Sequence, residues 1–259
     1  MIGRLTRDRR APSLGRRVER QEAVLLAIAQ ATLAAVGWLV DPFWVAVMVA
    51  VQLALGGLGA VRVMGPVRGA IGLARYAMPA TAGVAATLFG RVLPGGVALL
   101  LVPLVAVLLW AVIYVEVRAA RATGGRTILE LLLTATLLAA STGVLGLFGD
   151  LDWPTPVAFI AVFALPLALR SAESRGALGG QAVGQALLHV LAVGQVGTAS
   201  LLLDLPGVAT VPALIALAFY AWGGAAQALR DGEPGRSVAV EFGSLAVLGL
   251  VVALLLHRG

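Results

Sequence analysis

Apolar residues run in long unbroken stretches along this chain. They occupy about residues 23 to 40, 43 to 61, 76 to 90, 96 to 117, 128 to 148, 155 to 169, 183 to 203, 208 to 228 and 238 to 256. Most approach the roughly twenty residues that a helix needs to cross a hydrocarbon core. A transmembrane β-barrel would show segments of about ten residues alternating polar and apolar. Stretches such as Val97 to Val117 do not alternate. The pattern predicts an all-α, polytopic transmembrane helical bundle of about nine helices.

Two stretches are shorter than the rest, and both carry proline. Tyr76 to Gly90 is rich in Ala, Gly and Thr with Pro79 inside, the composition of a helix shielded from lipid by its neighbours. The stretch from residue 155 to 169 has Pro156 near its start and Pro166 near its end, so a kinked or partly re-entrant helix is expected there.

Arginine placement tests the count independently, because basic residues concentrate in cytoplasmic connections. Arg4, Arg7, Arg9, Arg10, Arg16, Arg17 and Arg20 precede the first stretch. The next arginines fall in alternate connections: Arg62, Arg68 and Arg75; Arg118, Arg121 and Arg126; Arg170 and Arg175; Arg230 and Arg236. Only Arg91 and Arg258 remain for the other side, where Asp41, Asp150, Asp152 and Asp204 sit in short turns. The expected orientation is N-terminus in and C-terminus out, in a bacterial inner (cytoplasmic) membrane. The organisation expected is a basic tail over residues 1–22 and one helical domain over 23–259. The basic start followed by apolar residues also resembles a signal peptide, but no small-residue cleavage site precedes Asp41-Pro42, so a retained first helix is the better reading.

Composition agrees with lipid as the solvent: 60% of residues are hydrophobic, 12% are charged, and the mean hydropathy is +0.97. The net charge of +6 resides in connections and reads as a topology signal, with no nucleic-acid partner implied. With no cysteine, thiolate catalysis, thiolate metal sites and disulfides are excluded within the chain. With no lysine, a Schiff base and a P-loop lysine are excluded too. Two histidines and no carboxylate placed beside them in sequence leave no catalytic triad, so no catalytic residue, metal site or cofactor is expected.

Ionisable and amide groups inside membrane helices are costly and mark candidate sites. Glu116 lies at the end of its helix next to Arg118, Glu130 three residues into its helix, and Glu241 at the start of its helix five residues beyond Arg236, all near the cytoplasmic interface. The plain reading is interfacial carboxylates paired with nearby arginines. Gln181, Gln185 and His189 recur every four residues and so fall near one helix face. Interhelical hydrogen bonding is the plain reading for them, as for Gln30, Gln52 and Gln195. The sharper reading is a ligand site open to the cytoplasm and lined by Glu130, Arg170, Gln185, His189 and Glu241, for a small hydrophobic or anionic ligand.

Nine helices with longer cytoplasmic connections after the second and sixth resemble the plan of the UbiA family of intramembrane prenyltransferases. The stretch Leu169-Arg170-Ser171-Ala172-Glu173-Ser174-Arg175-Gly176 is similar to that family's second cytoplasmic loop. In the family, Asp-rich motifs in both loops hold magnesium against a prenyl diphosphate. Here Val61 to Arg75 contains no acid, and the second loop has Glu173 alone. Glu130-Leu131-Leu132, Leu169-Arg170-Ser171 and Arg236-Ser237-Val238-Ala239-Val240-Glu241-Phe242 resemble the YwiC-like family of bacterial membrane proteins over roughly Ile113 to Leu256. That resemblance implies no reaction. The functional expectation is a non-enzymatic carrier of a small solute or a membrane assembly partner. The alternative is a divergent prenyltransferase relative or a lipid- or quinone-binding protein.

Overall fold

The computed structural model describes residues 11–65, 72–119, 126–203, 205 and 209–257. The expected features at Arg4 to Arg10, Arg68, Arg121, Asp204, Pro206-Gly207 and Arg258 lie outside the described residues. Ten helices follow in order: α1 (Ala11–Leu39), α2 (Pro42–Met64), α3 (Ala74–Val92), α4 (Gly95–Leu100), α5 (Val102–Ala119), α6 (Arg126–Phe148), α7 (Thr155–Ser174), α8 (Gly179–Leu202), α9 (Thr210–Arg230) and α10 (Gly235–His257). Among the described residues there is no strand. Among the described residues, seven helices are long and apolar enough to cross a membrane: the Gln21–Leu39 part of α1, α2, α6, α7, α8, α9 and the Gly235–Val252 part of α10.

The helices differ from expectation at three places. The apolar stretch 96 to 117 divides into α4 and α5 at Leu101, because Pro103 has no N–H to give to the carbonyl one turn earlier. The 155 to 169 stretch is neither broken nor short. α7 runs unbroken for 20 residues with Pro166 inside it, and Pro156 takes a first-turn position where its missing N–H costs nothing. In addition, α1 begins at Ala11, so its helix extends through residues 11–22 of the basic segment.

α3 is the central helix, packed against α1, α2, α5, α6 and α7. Its small residues Ala80, Ala82, Gly83, Ala85 and Gly90 are buried, which lets neighbouring backbones approach closely without a large side chain between them. The remaining helices form a second group in which α6 packs on α7 and α9, and α8 lies between α7 and α9. Among the described residues, α10 touches α9 alone.

On α2 the buried face is small or polar and the open face bulky and apolar, whereas α6 and α9 bury large apolar side chains such as Leu133, Leu137, Ile215 and Phe219. On α2 the buried positions are Gln52, Gly56, Ala60 and Val63, spaced about one helical turn apart. Leu53, Leu55 and Leu58 of the same helix are exposed, as are Val247 and Leu255 of α10. That polarity is the reverse of a helix in water and suits one in lipid. At mid-helix, Gln30 and Gln52 each donate to the other's backbone carbonyl, at 3.0 and 3.3 Å. Gln52 Nε2 also donates to Gly83 O at 3.3 Å, and Thr87 donates to Gln52 Oε1 at 2.8 Å. This buried network joins α1, α2 and α3, so both amides do form the interhelical bonds that their sequence context suggests. Gln195, by contrast, is exposed on α8.

Ionic groups gather at one end of the bundle. Arg75 at the start of α3 donates to Met64 O at the end of α2, at 3.2 Å, and Tyr76 donates to Gly65 O at 2.6 Å. The ends of α5, α7 and α9 and the start of α6 join them there through side-chain bonds described below. At the opposite end, Arg91 near the close of α3 donates to Gly37 O and Val40 O, at 2.8 and 2.7 Å. It thereby satisfies carbonyls that the C-terminus of α1 leaves without an intrahelical donor.

Candidate functional site

Two charge clusters are built side by side where α7 ends. In the first, Arg170 donates to Glu116 of α5 through Nε and Nη2, at 2.8 and 2.7 Å, a two-pronged pair with the carboxylate 0% exposed. The fold supplies Arg170 as a partner of Glu116 from 54 residues away. Glu173 turns the other way and accepts the backbone N–H of Ala74 at 3.3 Å, one of the donors that the N-terminus of α3 would otherwise leave free.

The second cluster centres on Glu130, in the second turn of α6. Ser171 donates to both of its oxygens, at 2.8 and 2.9 Å, and Arg175 Nη1 donates to Oε1 at 3.2 Å. Arg175 Nη1 also donates to Ser171 Oγ and reaches Gly223 O of α9 at 3.5 Å. Arg230 donates to the Arg175 carbonyl and closes the group on its outer side. The position of Arg175 follows from local chemistry. Gly176 has φ +85 and ends α7 in a tight return, with Gly176 N–H on Glu173 O and Ala177 N–H on Ala172 O. A left-handed residue there favours glycine. The return directs Arg175 back under α6 and α9 and away from solvent.

His189 of α8 completes the site from below. The ring is fully buried, stacks on Phe219 of α9 at 4.1 Å between centroids, and has Nε2 2.8 Å from Phe219 O. A carbonyl only accepts, so Nε2 carries the proton, and Nδ1 of the neutral ring is the nitrogen with the free lone pair. Nδ1 is buried without a partner among the described residues, and so is Arg175 Nε. Both side chains flank Gly223: a methyl group there would stand 3.3 Å from Arg175 Nη1, 3.5 Å from Glu130 Oε2 and 3.8 Å from His189 Cε1. The site thus holds one unfilled hydrogen-bond acceptor and one unfilled donor in a buried setting. Burial pushes the Arg175 guanidinium down from its ordinary value; Glu130 opposes this, while Arg230 and Arg126 add to it. Within the buried part of the site the single Glu130 carboxylate faces the single Arg175 guanidinium, while Arg230 and Arg126 stand exposed at its edge.

The structure brings together some of the residues singled out in the sequence and separates others. Glu130 and His189 share the site. Arg170 is committed to Glu116 in the neighbouring cluster. Gln185 is half-buried one turn from His189, and Gln181, a turn further on, is exposed. Each four-residue step turns about 40° around the helix, so the polar stripe winds out of the interior. Glu241 is exposed on α10, apart from the group. Ser171, Arg175, Phe219 and Gly223 were not singled out as site residues. The one available signal was Gly176, which marks where α7 must stop. Among the described residues, no three His, Asp or Glu side chains are grouped so as to hold a metal ion.

Comparison with protein-family models, with curated proteins and with solved structures finds no match to this chain.

Proposed function

We propose that this protein crosses the membrane nine times, with its N-terminus in the cytoplasm, and carries a small anionic solute that it binds between α6, α7, α8 and α9. The observation that carries the reading is the site around Gly223. A buried free acceptor on His189 and a buried free donor on Arg175 flank Gly223. A solute with a hydroxyl or protonated oxygen to give to Nδ1 and an anionic oxygen for Arg175 satisfies both. Unsatisfied buried polar atoms are costly, so filling them favours the bound state. The cytoplasmic membrane and the nine crossings follow from the arginine alternation. In this arrangement α3 makes its crossing inside the bundle, and α4 with α5 makes one crossing together.

The alternative remains a divergent relative of the prenyltransferases, or a lipid- or quinone-binding protein. Glu173, the one acid of the second cytoplasmic connection, is engaged with the backbone of α3, which favours the carrier.

Native mass spectrometry of protein extracted from its own membrane tests the choice. One small anionic species per chain is expected, and Arg175→Gln is expected to lose it while the helical spectrum is retained and the detergent melting point falls with loss of the Glu130 pair. A bound prenyl lipid or quinone would replace this reading with the alternative. Topology is tested separately with reporter fusions. Those after Arg126, Arg175 and Arg236 are expected to report cytoplasm, and those after Asp152 and Arg258 the outer side. A cytoplasmic report at Arg258 would remove one crossing.

A further inference from the structure

Glu241 takes no part in the Gly223 site, and its surroundings have a different character. It borders two adjoining hollows, one in the seam between α9 and α10 and one beside the first turns of α10. One, of about 540 Å³, is lined by Tyr220 and Gly224 of α9 and by Glu241, Ser244, Leu245 and Leu248 of α10. The other, of about 490 Å³, is lined by Pro234, Arg236, Ser237, Val240 and Glu241. Both Arg236 and Glu241 are exposed, and among the described residues neither has an ion-pair partner. They are five residues apart on one helix, about 7.5 Å along its axis. Glu241 lies six residues into α10, about 9 Å along the helix from its start. Beyond it, Leu245 and Leu248 extend an apolar wall toward the middle of the helix.

We propose that the α9–α10 seam binds one phospholipid with a primary-amine zwitterionic headgroup. Its phosphate sits on Arg236, its ammonium on Glu241, and an acyl chain lies along Leu245 and Leu248. A guanidinium matches phosphate oxygens with paired N–H donors. A carboxylate accepts hydrogen bonds from an ammonium, whereas a quaternary amine has none to give. An unpaired carboxylate beside lipid is costly, so the lipid that supplies the ammonium is preferred to an anionic one. The seam is open to such a molecule because α10 packs on α9 alone.

The full chain in nanodiscs or detergent, titrated with phosphatidylethanolamine, phosphatidylcholine and phosphatidylglycerol and read by native mass spectrometry, tests this. Phosphatidylethanolamine is expected to be retained about tenfold more tightly than the other two, which corresponds to about 1.4 kcal/mol. Glu241→Gln is expected to abolish the preference, Glu241→Asp to keep part of it, and Arg236→Gln to weaken all three lipids. Glu130→Gln should leave lipid retention unchanged, so the outcome is independent of the solute site. Equal retention of the three lipids by wild type overturns the proposal, as does an unchanged preference in Glu241→Gln. A lipid-free dimer joined through α10 would overturn it as well.

Discussion

Glu116→Ala is expected to destabilise the protein by about 3–5 kcal/mol, the cost of removing one member of a buried ion pair. The carboxylate is fully buried and takes both forks of Arg170, which is itself 6% exposed. Without it a guanidinium is left in the interior with no carboxylate in direct contact. Glu173 and Glu130, whose charges also act on Arg170, offset part of this cost. Replacing both partners, as in Glu116→Met with Arg170→Leu, should cost much less than the single change, because no charge is then stranded. Arg170→Lys should fall near the single change, since an ammonium cannot reproduce the two-pronged contact. Tryptophan-fluorescence melting in detergent orders the four proteins. A double variant as unstable as Glu116→Ala would show that packing around the pair, and not its charge, is what matters.

Gly56→Leu is expected to prevent assembly of the first three helices. A Cβ at Gly56 stands 2.6 Å from Ala80 Cα and 2.7 Å from Ala80 N, both backbone atoms of α3 that no rotamer change can move. Overpacking a well-packed interior costs about 1–3 kcal/mol when side chains yield, and more when a backbone must. Separating α2 from α3 also pulls Gln52 out of its bonds to Gln30, Gly83 and Thr87. The neighbouring glycine is the control: nothing lies within 4 Å of a Cβ at Gly57. Gly57→Ala should therefore be neutral or stabilise the helix by about 0.5–1 kcal/mol. Size-exclusion profiles and melting in detergent distinguish the two. Equal behaviour would mean that α2 and α3 are not in backbone contact at Gly56.

Helical class and membrane location were legible because hydrocarbon thickness dictates the length of an apolar run, and that length is visible along one dimension. The interruption at Leu101 was not foreseen, although Pro103 was there to read, because its effect depends on whether neighbouring chains satisfy the freed carbonyl. Residues with charge or amide groups stood out against an apolar background, and so Glu130, His189, Gln30 and Gln52 were all visible as candidates. Their partners were not. Glu116 binds Arg170, 54 residues away, and Glu130 binds Arg175, 45 residues away.

What the sequence determined by itself is therefore the set of apolar helices, their separation by basic connections and the identity of the few polar groups that lipid would penalise. Tertiary structure decided which of those groups meet, which face of each helix is buried, and that α3 is enclosed while α10 stands at the edge. The physical reason is that both faces of these helices are apolar, so hydropathy carries no record of the packing direction. Backbone approach at Gly56 and Gly143 and the pairing of distant charges choose that direction instead, and both depend on atoms brought together from far apart in the chain.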